Sequence, residues 1–318
     1  MKLVAAFLFA ILVAQPCQAW WESGHQIIAL LAYDLLSEEQ QRQLQQILQE
    51  HPRLKEDFVT PTKSAGLVEI ERWRVGRAGY WPDVARSQEK YNRPNWHFQL
   101  GATLVVGDVK NVPANPGPAP AGASLETHEL HLAQAVEVCR KVLRDKGRSP
   151  RDHALVVCWL AHLVADAHQP CHAGSLYAAG VFPEGDRGAN LIPTKQVKNL
   201  HALWDSLLGD QYDPGDIRRR CDTIRSDAVH WTHAKLAAGR REGLNPLTWL
   251  AESSEFGRSH VYTPEVLERV DTVARGLTRK VEMIDLPEDY LKAAGELARI
   301  RAAFAAHRLA LIWSEDLR

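Results

Sequence analysis

Residues Ala154–His172 read ALVVCWLAHLVADAHQPCH. The first eight residues are an unbroken apolar run with no turn signal, which predicts a buried helix. The same helix then carries His162 and Asp166, four residues apart and therefore on one face. Pro170 ends it, and His172 can turn back toward that face. Ionisable groups at the end of a buried helix form either a polar patch where the helix surfaces or a site for something that offsets their desolvation. Imidazoles and a carboxylate at this spacing suit zinc, a borderline-soft ion that takes both donor types.

A second pair lies downstream in NLHALWDSLL, where His201 and Asp205 are again four apart. The residues between them, Ala202, Leu203 and Trp204, are apolar. This face is therefore not obviously solvated, and a shared metal ion is the simplest compensation for burying it. Three more elements add candidates: His25 in WWESGH, Asp83 and Arg86 in GYWPDVAR, and His97 in RPNWHF. Taken singly, Asp83 could be a turn residue after Pro82, His97 a core histidine and His25 a helix-face residue.

The surrounding chain is helical by pattern. Ile27, Ile28, Leu30, Leu31, Leu35 and Leu36 form an apolar face that Ser23 could cap, and Ser37–Gln40 reads as a capping box for a second helix. Further helices are expected over 125–143, 152–167, 201–208, 217–238, 263–281 and 287–313. The only strand-like segment is 96–106, with a small β-hairpin possible there. VPANPGPAPAGAS (112–124) reads as a loop before a helix. One all-α domain is the economical expectation.

Composition bounds the function. The 318 residues carry 38 Lys+Arg against 39 Asp+Glu, which gives no electrostatic footprint for duplex DNA or a membrane surface. Bound metal could still supply positive charge locally. The 14 histidines exceed what packing needs in a chain of this size. The first 19 residues read as a signal peptide: Lys2, an apolar stretch from Leu3 to Val13, and a small-x-small site at Cys17–Ala19. The apolar stretch is too short to span a bilayer. Cleavage after Ala19 makes Trp20 the first mature residue of a secreted or periplasmic protein. Four cysteines then remain, Cys139, Cys158, Cys171 and Cys221, an even number that permits disulfide bonds, though four buried thiols are an equal reading.

The motifs in this order resemble the trinuclear-zinc, single-strand-specific nucleases and 3'-nucleotidases of the S1/P1 type. Matching elements are Trp20 with His25, WPD with Arg86, WHF, H-xxx-D-x-HQP-x-H, the loop Gly188-Ala189-Asn190 and NLHxxWD; the segments Trp249–Tyr262 and Ala305–Trp313 also fit. The resemblance covers Trp20 to Trp313. It implies a mostly helical fold of the zinc phospholipase C / zinc nuclease type with three Zn2+ in one cleft. The first zinc takes Asp83, His97, His162 and Asp166. The second takes the α-amino nitrogen and carbonyl oxygen of Trp20, His25 and the bridging Asp166. The third takes His172, His201 and Asp205.

The resemblance also implies hydrolysis of single-stranded RNA and DNA to 5'-phosphorylated products by a zinc-bound hydroxide. It implies 3'-nucleotidase activity as well. Asp83, Arg86 and Asp166 are the expected catalytic residues, with Arg86 offsetting charge on the phosphoryl oxygens. Phe98 and Asn190 are the expected substrate contacts, and His168 supports the site. Leu100 stands where many relatives carry an acidic or amide residue that binds a base, which points to weak base preference. The loop 173–188, with Tyr177 and Phe182, is expected to line or to cover the cleft. The expected partners are single-stranded nucleic acid and 3'-nucleotides, with the chain a monomer. The alternatives are a zinc phospholipase C, which shares the metal logic, and a non-catalytic zinc-storage protein, which would need neither a bridging carboxylate nor Arg86.

Overall fold

The structure is a computed structural model that describes residues 20–61, 65–210 and 212–317. The signal peptide expected over 1–19 lies outside the described residues. Helices dominate: α1 (Glu22–Asp34), α2 (Glu38–Gln49), α3 (Leu54–Asp57), α4 (Leu67–Val84), α5 (Leu132–Arg144), α6 (Pro150–Ala167), α7 (Leu200–Ser206), α8 (Pro214–Ser226), α9 (Ala228–Ala238), α10 (Pro246–Phe256), α11 (Pro264–Ala274) and α12 (Glu288–Asp316). None of the described helices is long and apolar enough to cross a membrane. The all-α expectation holds.

The buried run is the central post. Pro150 opens α6, Ser149 caps it by accepting from the Asp152 N–H at 3.1 Å, and every residue from Val156 to Ala167 is buried. α6 packs against α1, α2, α4, α5 and α12, so the main apolar core surrounds it. A second apolar cluster gathers the segment after α6 with α7 and the first turns of α12. Residues of the candidate site alternate in sequence with members of both clusters.

α1 and α4 approach closely because α4 carries glycines where they meet. A Cβ on Gly79 would stand 2.8 Å from the His25 carbonyl oxygen, and one on Gly76 would stand 2.8 Å from Oε1 of Gln26. Those glycines weaken α4 as an isolated helix, and no helix was expected there from the sequence. They also bring His25 and Asp83, on different helices, into one cleft.

Several local expectations change. The Ser37–Gln40 capping box is present. Ser23 lies inside the first turn of α1 rather than capping it, since the helix starts at Glu22 after Trp21. The helix expected over 217–238 is two helices, divided at Asp227, whose side chain caps α9. The helix expected from Leu125 starts at Leu132, because the segment before it wraps the core and its carbonyls at Leu125 and Thr127 accept from Arg93 and Trp96.

The β-hairpin is replaced by a parallel pair. β1 (Ala102–Val106) aligns with β2 (Ser175–Ala178), Leu104 opposite Leu176 and Val106 opposite Ala178. The partner strand comes from the segment after α6, so no short-range turn signal marks it. The disulfide expectation is also corrected. All four cysteines are buried free thiols, three in the main core and Cys171 in the second cluster. Burial pushes the Cys221 thiol up to about 12, which makes it an apolar packing group rather than a reactive one.

Candidate metal centres

Three buried groups of donors form in the structure: His25 with His162 and Asp166, Asp83 with His97 and His162, and His172 with His201 and Asp205. His162 belongs to two of them. Asp166 joins the first two by its separate oxygens. Its Oδ1 lies 3.4 Å from His25 Nε2, and its Oδ2 lies 3.3 Å from both His97 Nδ1 and His162 Nε2. Asp83 Oδ1 stands 3.9 Å from the same two nitrogens and accepts from Arg86 Nε at 2.6 Å. The i,i+3 step from α4 into the following turn places Arg86 over Asp83 at the cleft edge, where its side chain is largely buried.

Backbone carbonyls fix how these rings point, and the tautomers follow from their partners. His162 Nδ1 donates to Gly79 O at 2.9 Å, His201 Nδ1 donates to Gly188 O at 2.5 Å, and His172 Nδ1 donates to His97 O. Each ring then turns its Nε2 inward. His172 Nε2 and His201 Nε2 face each other at 3.1 Å with Asp205 Oδ2 3.4 Å from His201 Nε2. Two lone pairs at that distance repel unless a cation lies between them. Two nitrogens about 2.0–2.1 Å from one zinc at the tetrahedral angle lie about 3.3 Å apart, so the spacing fits that ion.

Unsatisfied atoms support the same fit. Both ring nitrogens of His25, His97 Nε2, Asp83 Oδ2 and both oxygens of Asp166 are buried without a hydrogen-bond partner. A cluster of unpaired buried polar atoms this dense would cost several kcal/mol if left so. Burial, reinforced by neighbouring imidazoles and Arg86, holds His25, His97 and His172 well below the ordinary histidine value. Burial lifts Asp166 to about 6. These three imidazoles are thus kept neutral, the form that binds metal, whereas at His162 the effect of burial is outweighed by Asp166 and Asp83, which raise it.

Trp20 is fully buried, and its indole N–H donates to Ala165 O, next to Asp166, at 3.0 Å. The Trp21 N–H donates to Asp205 O at 3.1 Å. The chain at Trp20–Trp21 is therefore tied to the helices that supply Asp166 and Asp205. Beside His25 and Asp166, the third side chain of the group is His162, whose ring stacks on His25 at 4.0 Å.

The other expected residues lie around the centres. Phe98 is half-buried, with its ring edge-on to His131 at 5.5 Å. Asn190 is half-buried; its amide donates to Arg187 O at 2.8 Å, and its oxygen accepts from Asn199, the cap of α7, at 3.3 Å. His168 touches no donor of the three groups. Its Nδ1 donates to Val164 O and its Nε2 accepts from the buried Arg308, so it is a satisfied core histidine. Tyr177 and Phe182 are both buried, so the segment 173–188 packs on the core rather than presenting them to the cleft.

Sequence reasoning missed Gln169. Its Nε2 donates to Asp205 Oδ1 at 2.6 Å, and its Oε1 accepts from the Cys171 N–H, which leaves Asp205 Oδ2 facing His201. The signal was its place inside HQP. Asp186 and Tyr262 were missed as well and carried no spacing signal.

A helical scaffold with three buried His/Asp groups, two of them joined by one carboxylate, defines a protein built with candidate metal centres. Comparison with known families agrees: the S1/P1 Nuclease family model matches residues 20–317, and the chain belongs to that family. Membership implies a nuclease, acting as a hydrolase on nucleic acid. A comparison with curated proteins finds no match for the chain.

Proposed function

We propose that the mature chain, residues 20–318 as one nuclease domain, is an exported zinc-dependent phosphodiesterase. It cuts single-stranded RNA and DNA to 5'-phosphorylated products and removes the phosphate from 3'-nucleotides. The observation that carries the reading is Asp166, whose two oxygens face different imidazoles at 3.3–3.4 Å, as a bridging carboxylate requires.

In this reading Asp83, His97, His162 and Asp166 hold one zinc. The Trp20 α-amine and carbonyl, His25 and Asp166 hold the second, and His172, His201 and Asp205 hold the third. Export completes the second set, because removal of residues 1–19 frees the Trp20 amine. Bound zinc supplies an activated water near neutral pH and positive charge for the phosphate.

The chain's own groups do the remaining work. The carbonyls of Gly79, His97 and Gly188 fix the tautomer and the aim of His162, His172 and His201. Arg86, fixed by Asp83, offers a preorganised charge to the phosphoryl oxygens. Phe98 gives a face for a base to stack on. Leu100 offers no hydrogen bond, so bases are held without strong preference. Asn190 contacts the substrate from the loop over the third centre.

The test is a substrate comparison with protein that starts at Trp20. Single-stranded polynucleotide and a 3'-mononucleotide should both be hydrolysed, and a chelator should abolish both activities. Turnover of phosphatidylcholine with none of the nucleic acid substrates would replace this reading with a phospholipase C.

A further inference from the structure

The segment that follows β2 is fastened at Asp186. This residue is fully buried, and its Oδ1 accepts from the Leu176 N–H at 2.9 Å. The buried hydroxyl of Tyr262 lies 2.9 Å from Oδ2 and 3.1 Å from Oδ1. The backbone of Asp186 adds two more ties, its N–H donating to Leu176 O at 2.9 Å and its carbonyl accepting from the Leu191 N–H at 3.2 Å.

The next three residues are all left-handed: Arg187 at φ 59, Gly188 at φ 60 and Ala189 at φ 67. For the two that are not glycine this conformation costs about 1–3 kcal/mol each and persists only where the surroundings over-determine it. The run delivers the Gly188 carbonyl to His201 Nδ1 at 2.5 Å. Only glycine fits there, since a Cβ would stand 2.2 Å from the Cys171 carbonyl oxygen. The Ala189 carbonyl also accepts from the His201 N–H at 3.4 Å. Asp186 itself touches none of the candidate ligands.

We propose that the Asp186–Tyr262 pair is a positioning device for the third candidate metal centre: it holds the strained 187–189 loop so that the Gly188 carbonyl keeps His201 Nε2 aimed at His172 and Asp205. This inference rests on the metal reading given under the proposed function. A buried carboxylate is a costly anchor unless fully hydrogen-bonded, and here it spends that cost one step behind a ligand. Tyr262 reaches Asp186 from the wide π-type turn Gly257–Val261, an irregularity common near functional sites.

The test is zinc titration of the chelated mature protein, comparing the natural chain with Asp186→Asn and Tyr262→Phe. The natural chain should take up zinc in three sites. Both variants should bind the third zinc about 10–100-fold more weakly, the cost of losing an outer partner of a ligand. The other two sites should be unchanged, and excess zinc should restore hydrolysis. If Asp186→Asn does not fold, Tyr262→Phe decides the matter alone. Third-site affinity equal to the natural chain's, with only a lower melting temperature, would overturn the inference and leave the metal reading intact. A natural chain with two or fewer zinc sites would overturn the metal reading and the inference together.

Discussion

His25 Nε2 lies 3.4 Å from Asp166 Oδ1, while the other oxygen of Asp166 lies 3.3 Å from His97 and His162. One side chain thus faces two donor sets. Asp166→Asn keeps the shape but turns one oxygen into an NH2 group that cannot ligate. Zinc content should fall from about three to about one per chain, since both shared sites lose a ligand. Hydrolysis should fall below detection. Metal analysis and a polynucleotide assay check this, and retained activity would refute the bridge.

An extra residue before Trp20 should cripple the enzyme. The Trp20 indole is fixed to Ala165 O and Trp21 N–H to Asp205 O, so the backbone there has a set place. A preceding residue turns the α-amine into an amide, which cannot serve as the proposed ligand. The loss of activity should be at least the roughly 10–100-fold that follows from losing an outer partner alone. Comparing protein starting at Trp20 with protein starting one residue earlier measures it; equal activity would remove the amine from the ligand set.

Gly79→Ala should destabilise the fold although alanine is the better helix former. The new methyl would stand 2.8 Å from the His25 carbonyl oxygen and 3.0 Å from Ala29 Cβ, neither of which can swing aside. Overpacking of about 1–3 kcal/mol then opposes a propensity gain of about 1 kcal/mol. Gly295→Ala in α12 is the control, because its Cβ meets nothing closer than Arg299 Nη1 at 3.9 Å. Thermal melts should move down for the first and up for the second.

Acid should weaken the fold partly through His51, away from the metal centres. Burial holds its folded value down to about 3, and its ring packs on Phe58 and Trp81. The unfolded chain takes up that proton near pH 6.5, so this contribution is intact above about 6.5 and is lost as pH falls from there toward about 3. His51→Gln should remove one proton's worth of slope, about 1.4 kcal/mol per pH unit in that window. Urea unfolding at several pH values reads it; an unchanged acid slope would contradict the assignment.

The clustering of donors was legible in the sequence where two residues share a helix. The four-residue steps from His162 to Asp166 and from His201 to Asp205 need only helical geometry. The all-α class was legible from apolar periodicity. α4 was not, because Gly76, Gly79 and Pro82 punctuate it for reasons that lie in α1. The partner of β1 was hidden by its distance along the chain. Gln169, Asp186 and Tyr262 stand one step behind the clustered donors, through contacts that only the folded chain creates.

In the proposed function these donors hold a three-metal cluster on which hydrolysis depends. The direct measurement is the zinc content of the mature chain starting at Trp20, taken with its nuclease activity before and after chelation. About three zinc per chain are expected, with activity lost on chelation and regained on adding zinc. One zinc or none, with activity that survives chelation, would contradict it.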